Sequence, residues 1–228
     1  MNKILNILSI DLDAFLGVPE TIYVNKHKSI IKEEDTIIKH LRKIKAKEIF
    51  YGIDHNKILM YLDQYPKCKY NIYNYDAHHD LYALNYKIWL NPLNIRGKNI
   101  DIGNMFFQLI REEKIANYIW LINDYFEINS CKKSIRDNIG QGYMSNIKVY
   151  PIYDLKVEIE FDILFISISP EWIPKDKMEW IINTINKFIY LTDNEIQYLR
   201  KKIQFRWDLE DENCMIENDR YYLEYNYV

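Results

Sequence analysis

Asp76, His78 and Asp80 stand at alternate positions in Asn74-Tyr75-Asp76-Ala77-His78-His79-Asp80, directly after a strand-like run from Tyr70 to Tyr75. A second pair, Asp11 and Asp13 in Ser9-Ile10-Asp11-Leu12-Asp13-Ala14-Phe15, closes an apolar run near the N-terminus, and Asp54-His55 follows a third run. Carboxylate oxygen and imidazole nitrogen without thiolate form a ligand set for divalent ions such as Mn²⁺. In an extended segment alternate residues project to one side, so Asp76, His78 and Asp80 are expected to converge while His79 points away. Asp11 and Asp13 follow the same alternation. Several carboxylates buried together repel one another and lose hydration, so the cluster calls for cations to offset it. Two ions about 3.5–4 Å apart can share a water, lower its pKa and make metal-assisted hydrolysis available at neutral pH.

The competing explanation is that Asp76 and Asp80 cap helices or turns and that the histidines are ordinary surface groups. It accounts for one such motif but not for three at successive strand ends. His27 and His40 lack carboxylates in pattern and read as surface residues. Glu171, after Ser169-Pro170, is a carboxylate able to hold a cationic group such as guanidinium. Its alternative role is a helix N-terminal carboxylate favoured by the dipole.

The elements that must position these groups alternate along the chain. Strand-like runs cover Ile4 to Ile10, Glu48 to Gly52, Tyr70 to Tyr75, Ile115 to Ile122 and Phe161 to Ser169. Helical runs cover Glu33 to Ala46, Asn56 to Asp63, Asn104 to Glu113, Lys175 to Phe188 and Asp193 to Ile203. Such alternation predicts an α/β fold, a three-layer αβα arrangement around a mainly parallel sheet. In open sheets of this kind functional groups gather beyond the carboxyl ends of the strands, where the polar clusters fall. From Ile128 to Val157 periodicity is lost, and an irregular connection with one short hairpin is expected. The acidic, tyrosine-rich tail from Asp208 reads as an edge strand or a docking segment.

The length of 228 residues suits one domain spanning 1–228, with no linker to divide it. A formal charge of -3 argues against a nucleic-acid partner. The cations from Lys39 to Lys47 read as the solvated face of an amphipathic helix. Cys68, Cys131 and Cys214 are too few and too scattered for a disulfide framework or a thiolate zinc site, which fits a reducing cytoplasm. The apolar run at the N-terminus is too short to span a bilayer and ends in two aspartates, so it reads as a buried first strand, and no membrane association is expected.

These motifs resemble the arginase and agmatinase ureohydrolases, whose D-A-H-x-D is matched by Asp76-Ala77-His78-His79-Asp80 and whose D-x-D is matched by Asp11 to Asp13. In ordinary arginases D-x-D lies downstream, whereas here it comes first. That order is similar to an arginase-like family that includes bacterial peptide arginases, enzymes converting arginine residues of ribosomal precursor peptides to ornithine. Ile10 to Phe15, Asp54-His55, Tyr73 to Asp80, Gly103-Asn104 and Ser169 to Glu171 echo its recurring motifs, so the likeness spans roughly residues 4 to 174. Asn74 stands where many relatives have histidine, so no ligand is expected there.

The resemblance implies an arginase-deacetylase-like fold and a two-manganese site. Asp11, His55, Asp76 and Asp80 would hold one ion, and Asp13 and His78 the other, with Asp76 and Asp11 bridging. It implies that Asp80 relays a proton to the departing amine and that Glu171 binds the guanidinium. Asn104 becomes either a second substrate contact or a loop-to-helix cap. The implied partner is an arginine-containing precursor peptide. Alternatives are a hydrolase of free arginine or agmatine, an amide hydrolase of deacetylase type using one zinc, and a metal-containing peptide-binding protein without turnover. A loop gripping the α-carboxylate and amine of free arginine is not recognisable, which favours the peptide.

Overall fold

The computed structural model describes residues 3–16, 30–82, 93–95, 98–100 and 103–208, without the side chains of 93–100 and of Glu171. Its strands are β1 (Ile4–Asp11), β2 (Lys45–Gly52), β3 (Lys69–Tyr75), β4 (Leu93–Ile95), β5 (Lys98–Ile100), β6 (Ile115–Ile122), β7 (Ile147–Pro151) and β8 (Glu160–Ser167). Six of them form one sheet in the order β2-β8-β1-β3-β6-β7, every neighbouring pair parallel. β4 and β5 pair separately as an antiparallel ribbon.

Helices α1 (Glu34–Leu41), α2 (Ile58–Leu62), α3 (Met105–Arg111), α4 (Ile128–Ile139), α5 (Met178–Asn186) and α6 (193–208) cover the sheet. Period-two alternation sorts the strand side chains between two cores. Leu8, Ile10, Ile119, Leu121, Leu164 and Ile166 meet α1, α5 and α6, whereas Leu5, Ile7, Tyr118, Trp120, Ile163 and Phe165 meet α2, α3 and α4. The fold is therefore a three-layer αβα sandwich. Ile7 and Ile10 are fully buried on opposite faces, each worth about 1.5–3 kcal/mol relative to exposure. Parallel pairing brings all six carboxyl ends to one rim.

Two expectations are corrected. Residues 128–157 are not an irregular connection with a hairpin: Glu127 caps α4 by accepting from the N–H groups of Asn129 and Ser130, and β7 adds a parallel edge strand. Strongly polar residues hide the helix, since only Cys131, Ile135 and Ile139 of α4 are buried. The helix expected from Glu33 to Ala46 ends at Leu41, because Lys45 and Lys47 already belong to edge strand β2. Lys47 pairs there with Asp162 at 2.8 Å. Lysines on an edge strand also discourage pairing with another chain.

Among the described residues no helix is long and apolar enough to cross a membrane. His27, Cys214 and the tail from residue 209 lie outside the described residues. His40, on α1, hydrogen-bonds the Leu155 carbonyl at 2.9 Å.

Candidate metal centre

The central strands deliver the acidic side chains. β1 and β3 are adjacent and run in register, Ile10 opposite Tyr75, so Asp11 and Asp76 emerge side by side. β8 flanks β1 on its other edge, with Ser167 opposite Asp11. His55 comes from beyond β2, one strand further out, and reaches the cluster by crossing over β8. Gly52 permits that crossing: a Cβ there would lie 2.9 Å from the Phe165 ring and 3.0 Å from Lys57 Cβ. The imidazole of His55 then sits between Phe106 and Phe165.

Local geometry departs from the extended alternation expected. After β1 the chain turns into a 3₁₀ segment, Leu12–Phe15, with Asp11 as its N-cap accepting the Asp13 N–H at 3.3 Å. Asp13 is aimed by this turn and not by strand pleating. After β3 the chain bends, Asp76 Oδ1 accepts the His78 N–H at 2.8 Å, and Asp80 adopts a left-handed φ of 50°. Non-glycine residues rarely occupy that region. The loop is thus folded back, and the residues converge because of it.

The result is two adjacent ligand groups, Asp11–His55–Asp76 and Asp13–Asp76–His78, with Asp76 common to both. His55 Nδ1 lies 3.2 Å from Asp11 Oδ2, 3.2 Å from Asp76 Oδ2 and 2.9 Å from Asp80 Oδ2. His78 Nδ1 lies 2.9 Å from Asp13 Oδ2 and 3.8 Å from Asp76 Oδ1. The four carboxylates and His55 are buried, while the His78 side chain is 22% exposed and gives the cluster its edge toward solvent.

Electrostatics make this cluster costly without a cation. Burial, then the charge of Asp13, lifts the Asp11 carboxyl to about 7. Burial and the neighbouring Asp80 and Asp13 push Asp76 well above the carboxylate range, and burial raises Asp80. Burial opposes the charging of both imidazoles, yet the close carboxylates of Asp11, Asp76 and Asp80 raise His55 well above its usual value, and Asp13 lifts His78 to about 9.

The donor set fits divalent ions. His55 Nε2 lies 2.6 Å from Ser9 Oγ, leaving Nδ1 to face three carboxylate oxygens, none in hydrogen-bond geometry with it. Asp80 Oδ2 is likewise buried without a hydrogen bond. A ligating histidine whose other nitrogen is held by an outer partner is the usual arrangement at metal sites. With Ser9 accepting from Nε2–H, the Nδ1 lone pair and the surrounding oxygens have a common need for a cation. Oxygen and imidazole donors suit Mn²⁺ and similar ions.

Several supporting contacts around the cluster have no counterpart in the sequence reading. Asn74 Nδ2 donates to Asp76 Oδ2 at 3.1 Å and to Tyr118 Oη at 3.1 Å. Trp120 Nε1 donates to the Asp76 carbonyl at 2.8 Å, and the Tyr118 hydroxyl donates to the His79 carbonyl at 2.7 Å. Asp54 forms a buried ion pair with Arg206 of α6 at 2.8 Å. Ser9 and Asn74 each stand two residues before a ligand, on the same strand face, and that spacing was a usable signal. Tyr118, Trp120 and Arg206 had none, because only the sheet order and the docking of α6 bring them near.

His79 points away from the ligands, as expected. Its Nδ1 accepts the Leu81 N–H at 3.1 Å, and its Nε2 faces Ser134 Oγ at 3.3 Å and Asn138 Nδ2 at 3.4 Å on α4. Burial, then His78, lowers it to about 3, so it is neutral. Glu171 lies on the 3₁₀ turn Pro170–Trp172, whose Trp172 ring sits 4.5 Å from the His78 ring, while the Glu171 carboxylate is outside the described part. Asn104 precedes α3 without capping it through its side chain. Its neighbour Gly103 accepts the Tyr82 N–H at 3.0 Å, tying this segment to the loop after Asp80.

No protein-family model matches the chain, and neither a curated protein nor a solved structure matches it significantly.

Proposed function

We propose that this protein is a two-manganese ureohydrolase that converts arginine residues of a ribosomal precursor peptide to ornithine with release of urea. The observation that carries the reading is Asp76, a single buried carboxylate belonging to both ligand groups. One carboxylate common to two groups suits a pair of ions and not a lone zinc. Asp11, His55, Asp76 and Asp80 would hold one Mn²⁺, and Asp13 and His78, with Asp76 and Asp11, the other. When bound, such a pair supplies a nucleophilic water at neutral pH and positive charge against the developing transition state.

The chain's own residues supply orientation and proton transfer. Glu171 holds the guanidinium by charge-assisted hydrogen bonds, and Asn104 adds a second contact from the segment tethered at Tyr82. Asp80, its Oδ2 free of hydrogen bonds, takes a proton from the attacking water and passes it to the departing amine. The guanidinium carbon gains the water oxygen, its bond to the ornithine nitrogen breaks, and urea leaves. Trp172 and the half-buried His78 form the solvent edge through which an arginine side chain enters. The guanidinium chemistry and the peptide substrate draw their support from the motifs shared with arginase-like enzymes.

The test is urea release from arginine-containing peptides, with free arginine and agmatine in parallel, by protein reconstituted with Mn²⁺. Peptide-dependent urea that disappears in Asp76→Ala is the expected result. Urea from the free substrates alone would move the activity to small guanidines, and bound metal with no urea from any of them would overturn the ureohydrolase reading.

A further inference from the structure

We propose that Ser169 is a positioning residue whose hydroxyl ties the metal position at Asp11 to the turn that carries Glu171. The role given to Glu171 rests on the ureohydrolase reading; the contacts of Ser169 do not.

Ser169 follows β8 with φ 46° and ψ 62°, the left-handed region that favours glycine. A non-glycine residue persists there only when its surroundings over-determine it, and such strain clusters at functional sites. What a glycine would lack is the hydroxyl. Ser169 Oγ donates to Asp11 Oδ2 at 2.5 Å and lies 2.9 Å from Ser167 Oγ, all within the buried interior. Hydrogen bonds of this length to a carboxylate are among the stronger ones. The other Asp11 oxygen accepts the Asp13 N–H, so Ser169 and Asp13 together set the plane of that carboxylate.

The same residue starts the turn. Its N–H donates to the Ile53 carbonyl at 2.8 Å, beside the segment that leads to His55. The next carbonyl, Pro170, accepts the indole N–H of Trp207 on α6 at 2.8 Å. Glu171 comes next, and then Trp172, packed on His78. The turn therefore touches the first ligand group at Asp11 and the second at His78, with Glu171 between the two contacts. A displacement of Asp11 is transmitted through one hydroxyl to the origin of the turn, and the reverse holds.

Ser169→Ala removes the hydroxyl and keeps the strain; Ser169→Gly removes both. With folding verified by circular dichroism and melting, both variants are expected to bind Mn²⁺ about 10–100-fold more weakly in chelator competition, the scale of losing an outer partner of a ligand. Both should shift the visible absorption of the Co²⁺-loaded protein, and both should raise the KM for an arginine peptide at saturating Mn²⁺. Unchanged Mn²⁺ affinity and Co²⁺ spectrum in the two variants would overturn the proposal. Loss in Ser169→Ala alone would also overturn it, by assigning the effect to strain. Weaker metal binding with an unchanged KM would sink the link to Glu171. Absence of urea from the parent protein would defeat the ureohydrolase reading, whereas the metal affinity and spectrum would still decide the contact with Asp11.

Discussion

The two ends of the same strands treat polar residues in opposite ways. At the amino end Asn6, Asn71 and Asn117 stand side by side on β1, β3 and β6 and form an amide ladder: Asn117 donates to Asn71 at 2.8 Å, Asn71 to Asn6 at 2.9 Å, and Asn6 to the Glu160 carbonyl at 3.2 Å. Asp162 nearby accepts from the Asn6 N–H and from Lys47; burial pushes its carboxyl up, but the hydrogen bond donated by that lysine helps hold it below the usual range. At the carboxyl end the polar groups are ionisable, more deeply buried, and raised in pKa. Polar residues at aligned strand ends are therefore not in themselves a site. Satisfaction separates them: the amides complete one another, whereas the carboxylates and imidazoles crowd together in groups that could hold a metal ion and leave His55 Nδ1 and Asp80 Oδ2 without a hydrogen bond.

Substitutions at the two ends should accordingly fail differently. The largest effect is expected from Asp76→Ala, which removes the carboxylate common to both ligand groups. Urea release should fall by at least about 10³-fold, as for a residue acting within one catalytic unit. Mn²⁺ binding by calorimetry should be lost, and activity that survives would join the two ends in a merely structural role. Removal of metal comes next. Saturation of the parent with Mn²⁺ at about 100 times its dissociation constant should stabilise it by about 2.7 kcal/mol. In a chain of this size that raises the melting temperature by roughly 5–10 °C, reversed by chelator.

The pH dependence of metal uptake should be smaller and of definite sign. In the metal-free protein Asp11 titrates at about 7 and His78 at about 9, and both must lose their protons to ligate. Mn²⁺ affinity should therefore fall with pH, by at least about tenfold from pH 8 to pH 6, with proton release on binding. A flat profile would mean that these groups do not ligate. The smallest effect belongs to the amide ladder. Asn71→Ala should cost about 1–2 kcal/mol in denaturant melts, the scale of two partly buried hydrogen bonds. Mn²⁺ affinity should not change, and a loss of metal in this variant would erase the contrast between the ends.

Much of this was legible without coordinates. The Ile115 to Ile122 strand is found as expected, and the other sheet strands foreseen are displaced only at their ends, because buried parallel strands read as apolar runs. The residues expected as ligands, Asp11, Asp13, His55, Asp76, His78 and Asp80, are brought together at one rim, five of them in groups that could hold a metal ion. The weak points were α4 and β7, whose polar surfaces obscure their periodicity. Basic residues on β2 likewise continue the pattern of the preceding helix and blur where it ends.

The sequence by itself determined the kinds of donor, their attachment to strand ends and the turning away of His79. Those properties follow from side-chain chemistry and from short-range periodicity. Tertiary structure alone decided how the donors meet. The order β2-β8-β1-β3 sets His55 across β8 from Asp11, a 3₁₀ turn aims Asp13, and a left-handed Asp80 folds its loop back. It also placed Asn74, Tyr118, Ser169 and Arg206 around the ligands or the segments that carry them. The physical reason is that a carboxylate costs little in a solvated chain. It becomes a demand for a cation only when long-range packing removes its water and sets other carboxylates beside it.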